Sequence, residues 1–288
     1  MMEQSNQFPL ISIIICTRNR AALLGECIEG FSSQEYPNSQ YEIVVIDDGS
    51  SDETPEVVRS LQSSAPLPVI RYVPQSHQGL NAARNAGIRN ARGAVVLFFD
   101  DDQIAPPGFL EKVSALLAEN PDIDGVGGPV KDYGKSGLRT CNRCSLGDAD
   151  VPGTGKRLVP YLLGGNMALR ANVFERVGLF DGEISGRGDE TEWFHRARGL
   201  KLVQDPDLWA WHRRDEFNLL SLCRHSFVQG LAVPLYKKKI GEYYRPQPAR
   251  VMRFFAHALR YRCAQGVALA HREIGAIVSY FRLAASGK

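Results

Sequence analysis

Four apolar runs, each ending in polar residues, constrain the fold of this chain more than any other feature. They are residues 10–16 (LISIIIC), 41–47 (YEIVVID), 69–73 (VIRYV) and 94–100 (AVVLFFD). Continuous β-branched runs are typical of strands that are buried on both faces of a parallel sheet. Segments with helical spacing separate them, at residues 20–34, 55–64 and 79–91. The alternation predicts an α/β fold with a doubly wound, mostly parallel sheet over the first 115 residues, flanked by helices.

Polar clusters follow three of these runs, at residues 17–20, 47–51 and 100–102. In open α/β sheets, ligands bind beyond the carboxyl ends of the strands. We therefore expect the three clusters to meet at one edge of the sheet and to form a binding site.

Asp100, Asp101 and Asp102 form the most informative cluster. Three adjacent carboxylates repel one another at the end of a buried strand. A hard divalent cation such as Mg²⁺ or Mn²⁺ relieves that repulsion, since it prefers oxygen ligands and is often shared with substrate phosphates. The alternative is a solvated acidic turn, or a helix cap before Pro106.

Asp47 and Asp48 end the second run. A carboxylate at this position can accept hydrogen bonds from a nucleobase N–H or from a ribose hydroxyl. The alternative is that one of the two acids caps a turn, which the following Gly49 and Ser50 also favour.

Taken in order, several segments carry a family resemblance. They are SIIICTRNR, VVIDDGSSDET, GLNAARNAGIRNARGAVVLFFDDD and GGNMALRANVFERVGLFDGEISGRGDETEWFHRARGLKLV. The set resembles the family 2 glycosyltransferases, which adopt the GT-A fold, over about residues 10–212. The resemblance implies a catalytic domain at residues 1–215, with a nucleotide-binding half at 1–115 and an acceptor half at 116–215. A basic helical extension follows at residues 216–288, with a break around Pro246 and Pro248.

The resemblance also implies roles for residues in the nucleotide-binding half. Asp100 and Asp102 match the outer positions of the D-x-D motif, in which the second acid contacts the metal and the first lies near the sugar or ribose. Asp48 matches the carboxylate that recognises the base, with Asp47 as the neighbouring candidate. The remaining matches are Thr17 and Arg18, which line the base pocket, and Arg84 and Asn85, which either approach the nucleotide and phosphates or form a helix surface pair.

The resemblance places the catalytic base in GRGDETEW, where the family carries a Glu-Asp pair at the start of a helix. Here the order of the acids is swapped, so that Asp189 stands for the Glu and Glu190 for the Asp. The base is usually the second acid, which favours Glu190 and leaves Asp189 as the alternative. Glu192 lies on another helical face and is expected to be structural. The competing interpretation of the cluster is a set of acids that favours a helix N-terminus.

Three further assignments concern the metal and the acceptor. His212 matches a histidine that completes the coordination of the metal, although a lone histidine is equally often packed in the protein. Gly165 and Asn166, after Gly164, match a glycine-rich strand that borders the acceptor sugar. Trp193 either stacks on a sugar ring or belongs to the core.

The charge of the chain is unevenly distributed. Residues 1–195 contain 17 Lys+Arg and 26 Asp+Glu, whereas residues 196–288 contain 17 and 6. The basic tail is either an amphipathic helical surface that contacts an anionic membrane carrying a lipid-linked acceptor, or a helical cap packed on the catalytic domain. Nucleic acid is not expected as a partner, because the basic residues form no recognisable binding module.

The sequence shows no recognisable targeting signal and no disulfide pattern. We therefore expect a cytoplasmic location, with or without peripheral attachment to the inner face of the membrane. The N-terminal segment lacks the basic region of a signal peptide, and no run approaches about 18 apolar residues. The spacing of the six cysteines fits neither a zinc ribbon nor a disulfide framework.

The resulting hypothesis is an inverting transfer of a sugar from a nucleotide diphosphate donor to a hydroxyl of a glycan or lipid-linked acceptor, with Mn²⁺ or Mg²⁺ as cofactor. Uridine diphosphate sugars are the commonest donors in the family, and polysaccharide or glycolipid biosynthesis is the expected context. A nucleotidyltransferase would carry a glycine-rich phosphate loop after the first strand, whereas CTRNR has no glycine. A non-catalytic nucleotide-sugar-binding module would have lost the D-x-D acids or the base.

Overall fold

The computed structural model describes residues 9–63, 68–133, 155–184, 189–213, 219–261 and 264–285. The chain forms two compact units. The first comprises residues 1–132, 153–180 and 197–213, and the second comprises residues 133–152, 181–196 and 214–288. Residues 181–196 thus group with the segment that follows residue 213.

An eight-stranded sheet forms the centre of the first unit, in the order β3-β2-β1-β4-β9-β6-β10-β8. Its strands are β1 (Ile11–Thr17), β2 (Tyr41–Asp47), β3 (Val69–Pro74), β4 (Val95–Phe99), β6 (Gly125–Gly127), β8 (Arg157–Val159), β9 (Asn166–Arg170) and β10 (Leu202–Gln204). A small sheet contains β5 (Gln103–Ile104), β7 (Val130–Tyr133) and β11 (Ala210–Arg213), with β11 in the middle.

The first four strands are parallel, as the apolar runs predicted. Every residue of β2 and β4 is buried, which explains why these sequences do not alternate between apolar and polar residues. Beyond β4 the sheet becomes mixed, because β9 pairs antiparallel with both β4 and β6. Residues 202–213 contain two strands, β10 and β11, which belong to different sheets.

Helices flank these strands. Those of the first unit are α1 (Ala21–Ser32), α2 (Thr54–Gln62), α3 (Leu80–Asn90), α4 (Phe109–Glu119) and α5 (Val173–Val177), with a 3₁₀ turn at Asn38–Gln40. The helix α4 was not predicted, although the apolar residues of FLEKVSALLAE have helical spacing. Together α1 and α4 bury an aromatic cluster in which the Phe31 ring lies 4.8 Å from that of Phe99 and 6.4 Å from that of Phe109. This cluster supports the strand that ends at the three aspartates.

The second unit is helical in its described part. It contains α6 (Asp189–Arg196), α7 (Leu219–Leu231), α8 (Val233–Lys239), α9 (Pro248–Tyr261) and α10 (Ala264–Ala285). Helix α10 packs against α7 at two glycines: a Cβ on Gly230 would lie 2.0 Å from the Arg272 carbonyl oxygen, and one on Gly275 would lie 2.2 Å from that of Phe227. The two backbones can approach this closely only because both positions lack a side chain. Within the described residues, no helix is long and apolar enough to cross a bilayer.

Candidate active site

Sheet register brings the loop after β1 to the acidic cluster. Strands β1 and β4 pair in parallel up to Ile14 and Phe98, so the next three residues of each strand lead to Thr17 and Asp101. The order β3-β2-β1-β4 also reverses the direction of chain progression at β1. A crevice at such a reversal is the usual ligand site of a doubly wound sheet.

Asp101, the middle acid, is held entirely by the β1 loop. Its side chain accepts hydrogen bonds from the Thr17 hydroxyl (2.7 Å) and from Nη1 of Arg20 (2.8 Å), and the residue is only 4% exposed. The same Arg20 nitrogen lies 2.9 Å from Oδ2 of Asp102. Arg20 therefore bridges two neighbouring carboxylates.

These contacts correct the electrostatic argument drawn from the sequence. The repulsion among the acids is relieved by a guanidinium of the chain itself, so an external cation is not required to explain the cluster. The alternative of a solvated acidic turn is also wrong, because Asp101 is buried. The sequence placed Arg20 in the polar cluster after β1 but did not identify it as a site residue. Arg20 can be recognised as a site residue only from the register of two strands that lie about 80 residues apart in sequence.

The pKa values of the two acids shift in opposite directions. Burial and the adjacent Asp102 raise the pKa of Asp101, and the charge of Arg20 and the Thr17 hydrogen bond offset this only in part. Burial also raises the pKa of Asp102, but hydrogen bonding and charge from His212, together with Arg20, outweigh it and lower the pKa overall. Asp102 is therefore the more strongly ionised acid of the two.

His212 lies close enough to Asp102 for the two side chains to bind the same cation. It belongs to β11, which pairs with β5, and its Nε2 is 3.4 Å from Oδ2 of Asp102. Two ligands on adjacent corners of an octahedral Mg²⁺-type site with bonds of about 2.1 Å lie about 3 Å apart. A carboxylate oxygen and an imidazole nitrogen are also donors that Mn²⁺ accepts. The pair thus fits a divalent cation that takes its remaining ligands from substrate or water.

Asp100 does not join this pair as a third ligand. Within the described ranges, no group of three or more His, Cys, Asp or Glu side chains is placed to hold a metal. Asp100 instead packs against Gly165, where a Cβ would lie 2.0 Å from its Oδ2. Gln103 Nε2 lies 3.3 Å from the same oxygen, and the buried Oε1 of Gln103 has no hydrogen-bond partner in the described part of the chain. An orphaned acceptor beside Asp100 is a polar position that a ligand donor could satisfy.

Asp48 is saturated by protein donors. Its Oδ1 accepts from Gln75 Nε2 (2.7 Å) and Gln78 N (2.8 Å), and its Oδ2 from Gly79 N (2.8 Å), with His77 Nδ1 at 2.7 Å. Burial raises the pKa of this acid, but the four hydrogen bonds outweigh burial and lower it. A carboxylate offers about four acceptor positions. Recognition of a nucleobase by Asp48 would therefore require the exchange of one of these bonds.

Asp47 caps the turn that follows β2, which is one of the two alternatives drawn from the sequence. Its Oδ1 accepts from the backbone N–H of Ser50 at 2.8 Å, and its Oδ2 accepts a short hydrogen bond from the Tyr72 hydroxyl. Burial, with the hydrogen bond and charge of Asp47, raises the pKa of Tyr72. Asp47 is 3% exposed, so it supports the turn from within.

Arg18 lies at the exposed edge of the same region. Its Nη1 is 3.1 Å from Nε2 of His77, whose other ring nitrogen contacts Asp48. A neutral imidazole that donates from Nδ1 to Asp48 and accepts at Nε2 from Arg18 satisfies both contacts. His77 was not singled out from the sequence, because a lone histidine in the loop PQSHQGL carries no local signal.

Arg84 and Asn85 have different environments. Arg84 is 3% exposed, and its guanidinium carbon lies 5.5 Å from the centroid of the Phe180 ring. Asn85 forms two hydrogen bonds with the backbone of Phe180, donating at 2.8 Å and accepting at 2.9 Å. Asn85 thus anchors the segment after α5, and the alternative of a helix surface pair is wrong because both residues are buried.

Asn166 is buried at the start of β9. Its side-chain amide donates to the carbonyl oxygens of Leu208 (2.7 Å), Gly128 (3.3 Å) and Pro129 (3.5 Å). At 1% exposure, it positions backbone segments around the site and offers no free surface to an acceptor sugar. The burial of Asn166 argues against its acceptor assignment, whereas the assignment of Gly165 stays a prediction.

The candidate base lies in the second unit, on α6. This helix begins at Asp189, and the Glu190 side chain is partly exposed. The side chain of Asp189 lies outside the described residues. Glu192 forms a bidentate ion pair with Arg196, at 2.6 and 3.0 Å, which confirms its expected structural role. Trp193 is fully buried against Phe194, with ring centroids 5.1 Å apart, so the structure favours its core alternative over sugar stacking.

The sheet is mostly parallel and carries buried acids at its switch point, and comparison with known proteins identifies the family of the chain. Residues 12–178 match the profile of glycosyl transferase family 2, and the chain belongs to this family. It is a glycosyltransferase, and the resemblance inferred from the motifs is confirmed.

Individual relatives agree with this assignment. The chain is 31% identical over 221 residues to glycosyltransferase AglE of Haloferax volcanii, an alignment that covers 75% of this chain and 71% of AglE. It is 33% identical over 119 residues to the β-monoglucosyldiacylglycerol synthase of Trichormus variabilis, covering 41% of this chain and 25% of that protein.

Solved structures confirm the GT-A fold. The mannosyltransferase PcManGT from Pyrobaculum calidifontis, in complex with GDP-Man and Mn²⁺, superposes with a TM-score of 0.61 at 20% identity, covering 98% of this chain and 76% of that one. Residues 1–349 of TarS from S. aureus superpose with a TM-score of 0.58 at 15% identity, covering 92% and 91%.

Proposed function

We propose that this glycosyltransferase transfers a sugar from a nucleotide diphosphate donor to an acceptor hydroxyl, with inversion and with the help of Mn²⁺ or Mg²⁺. The observation that carries the proposal is the Asp102–His212 pair beside the buried Asp101, at the switch point of the sheet. The Mn²⁺ and GDP-Man in the PcManGT structure support the same ligand classes.

In this proposal, Asp102 and His212 hold the cation. When bound, the cation neutralises charge that develops on the leaving diphosphate. Thr17 and Arg20 hold the side chain of Asp101, and Arg20 also contacts the Asp102 carboxylate and keeps it oriented. Asp100, which packs on Gly165, is assigned to the sugar or ribose. The buried Arg84 is assigned to the phosphates, to which its guanidinium would add positive potential.

Base recognition is assigned to the β1 loop and the residues 75–79 loop together. Asp48 holds the 75–79 loop by accepting hydrogen bonds from backbone and side-chain donors of that loop. Arg18 contacts His77 at the exposed edge of the same loop. The pocket wall is therefore preorganised before the nucleotide arrives, which reduces the entropy cost of binding.

The proton of the acceptor hydroxyl passes to Glu190, with Asp189 as the alternative base. The acceptor oxygen forms its bond to the anomeric carbon while the bond from that carbon to the diphosphate oxygen breaks. A single displacement from the opposite face inverts the configuration, as in inverting glycoside hydrolysis with an alcohol in place of water.

Two variants test this assignment. Asp102→Asn should abolish transfer and the thermal stabilisation that Mn²⁺ with a nucleotide sugar provides, because the cation loses a charged ligand. Glu190→Gln should lower turnover by about a hundredfold or more but keep that stabilisation. A panel containing UDP-sugars and GDP-mannose identifies the donor first.

Glu175→Gln is the matched control, since Glu175 is an exposed acid on α5 outside the site. Full turnover in both Asp102→Asn and Glu190→Gln would show that the site is assigned to the wrong residues. A wild-type chain that binds nucleotide sugars and never transfers them would instead favour the non-catalytic binding module.

A further inference from the structure

An aromatic patch lies on the surface of the helical unit. Tyr243, in the loop between α8 and α9, pairs through its hydroxyl with that of Tyr280 on α10 at 2.7 Å, and the ring of Phe281 lies 5.5 Å from that of Tyr280. Tyr243 is 71% exposed and Phe281 is 59% exposed. Adjacent aromatic side chains left this open to solvent mark an interaction surface.

The patch is held in place from below. Tyr244, the next residue in the loop, is buried, and its ring lies 5.9 Å from that of Tyr280. The loop is thereby fixed to α10, and the exposed rings of Tyr243 and Phe281 remain on one surface.

The surroundings of the patch are strongly basic. Residues 219–285 contain eleven Lys+Arg and two Asp+Glu. Each acid already has a basic partner, since Glu242 lies 2.8 Å from Lys237 and Glu273 lies 3.5 Å from Arg250. The remaining positive charge includes three exposed side chains within five residues of the patch in sequence, namely Lys238, Arg245 and Arg282.

We propose that this surface, formed by Tyr243, Tyr280, Phe281, Lys238, Arg245 and Arg282, docks the protein on an anionic lipid bilayer. Aromatic side chains with a polar end favour the membrane–water interface. Each Lys or Arg near an anionic surface contributes about 1 kcal/mol, or about fivefold in affinity. The combination of exposed rings with flanking cations fits a lipid surface better than a nucleic acid, whose sites order cations along a phosphate backbone.

Vesicle sedimentation of the full chain tests the proposal. The probes are vesicles of phosphatidylcholine alone and vesicles of phosphatidylcholine mixed with phosphatidylglycerol, each at low and high salt. We expect binding to the mixed vesicles at low salt, and weaker binding at high salt, because salt screens exposed charges. Arg245→Ala and Arg282→Ala should each weaken low-salt binding about fivefold. Phe281→Ala should weaken it about five- to tenfold at either salt concentration.

Matched controls come from the first unit. Leu158 is 71% exposed on β8, and Arg89 is an exposed cation on α3, so Leu158→Ala and Arg89→Ala should bind like the wild type. Asp102→Asn should also bind normally, which separates this inference from the proposed chemistry. Circular dichroism and melting temperature confirm that each variant is folded.

Three results would overturn the proposal. The first is equal binding to neutral and mixed vesicles, and the second is a Phe281→Ala variant that binds like Leu158→Ala. The third is an oligonucleotide that displaces the protein from vesicles and depends on the same residues, which would make the surface a nucleic-acid site.

Discussion

The acids after β2 and the acids after β4 lie at the same edge of one sheet, but the chain neutralises them in different ways. Asp48 is surrounded by four donors from one short loop, and Asp47 by a tyrosine and a turn. Asp101 and Asp102 instead share one arginine, and Asp102 also faces His212. The first pair supports a turn and a loop at this edge, whereas the second pair makes ionic contacts that a ligand could exchange.

Removal of Arg20 should have a large effect on stability. Loss of one partner of a buried ion pair costs about 3–5 kcal/mol, and the 42% exposure of the Arg20 side chain reduces this to about 2 kcal/mol. Urea denaturation of Arg20→Ala measures the change. If Arg20 acts by neutralising Asp101, the double variant Arg20→Ala with Asp101→Asn should recover part of the loss. If the free-energy costs of Arg20→Ala and Asp101→Asn simply add in the double variant, Arg20 does not act by neutralising Asp101.

Asp48→Asn should cost about 1–3 kcal/mol, because an amide replaces an acceptor that two backbone N–H groups and two side chains share. Melting temperature and urea denaturation measure this change. Proteolysis within residues 75–79 should become faster, since the loop loses its anchor. An unchanged loop in the variant would mean that Asp48 does not hold it.

The same variant makes a prediction about pH. The pKa of Asp48 is lower in the folded chain than its ordinary value, so its stabilising contribution is complete above about pH 4 and is lost as the pH falls through the folded pKa. The difference in unfolding free energy between wild type and Asp48→Asn should therefore shrink below about pH 4. Urea denaturation at several pH values measures it, and a difference that grows on acidification would contradict the assignment.

Tyr72→Phe should have the smallest effect. The variant removes one hydrogen-bond donor to Asp47 and leaves the Ser50 contact, so the expected cost is about 1 kcal/mol. Nucleotide-sugar binding, measured by thermal stabilisation, should be nearly unchanged. A large loss of binding would show that Asp47 contacts the nucleotide and does more than support the turn.

Local sequence was sufficient for the elements that carry the site. Buried strands such as β2 read as continuous apolar runs because both faces are covered, and β2 has the predicted bounds. The acids at the ends of β2 and β4 were predicted together for the same reason, since parallel strands end at a common edge. The short helix α6 and the mainly helical extension also agree with their sequence periodicity.

Which residues pair with the acids could not be predicted from the sequence, because the pairing depends on tertiary structure. Arg20 meets Asp101 because β1 and β4 are adjacent in a particular register, and His212 meets Asp102 because β11 pairs with β5. Asn166 proved to be buried among the carbonyl oxygens of Gly128, Pro129 and Leu208, which are distant in sequence, and Trp193 also proved to be buried. The sequence by itself determined which segments are apolar enough to form the sheet, and which strands end in acidic residues. Only the tertiary structure decided which cation or donor neutralises each charge, because a hydrogen bond a few ångströms long depends on strand register, and hydrophobic periodicity does not specify it.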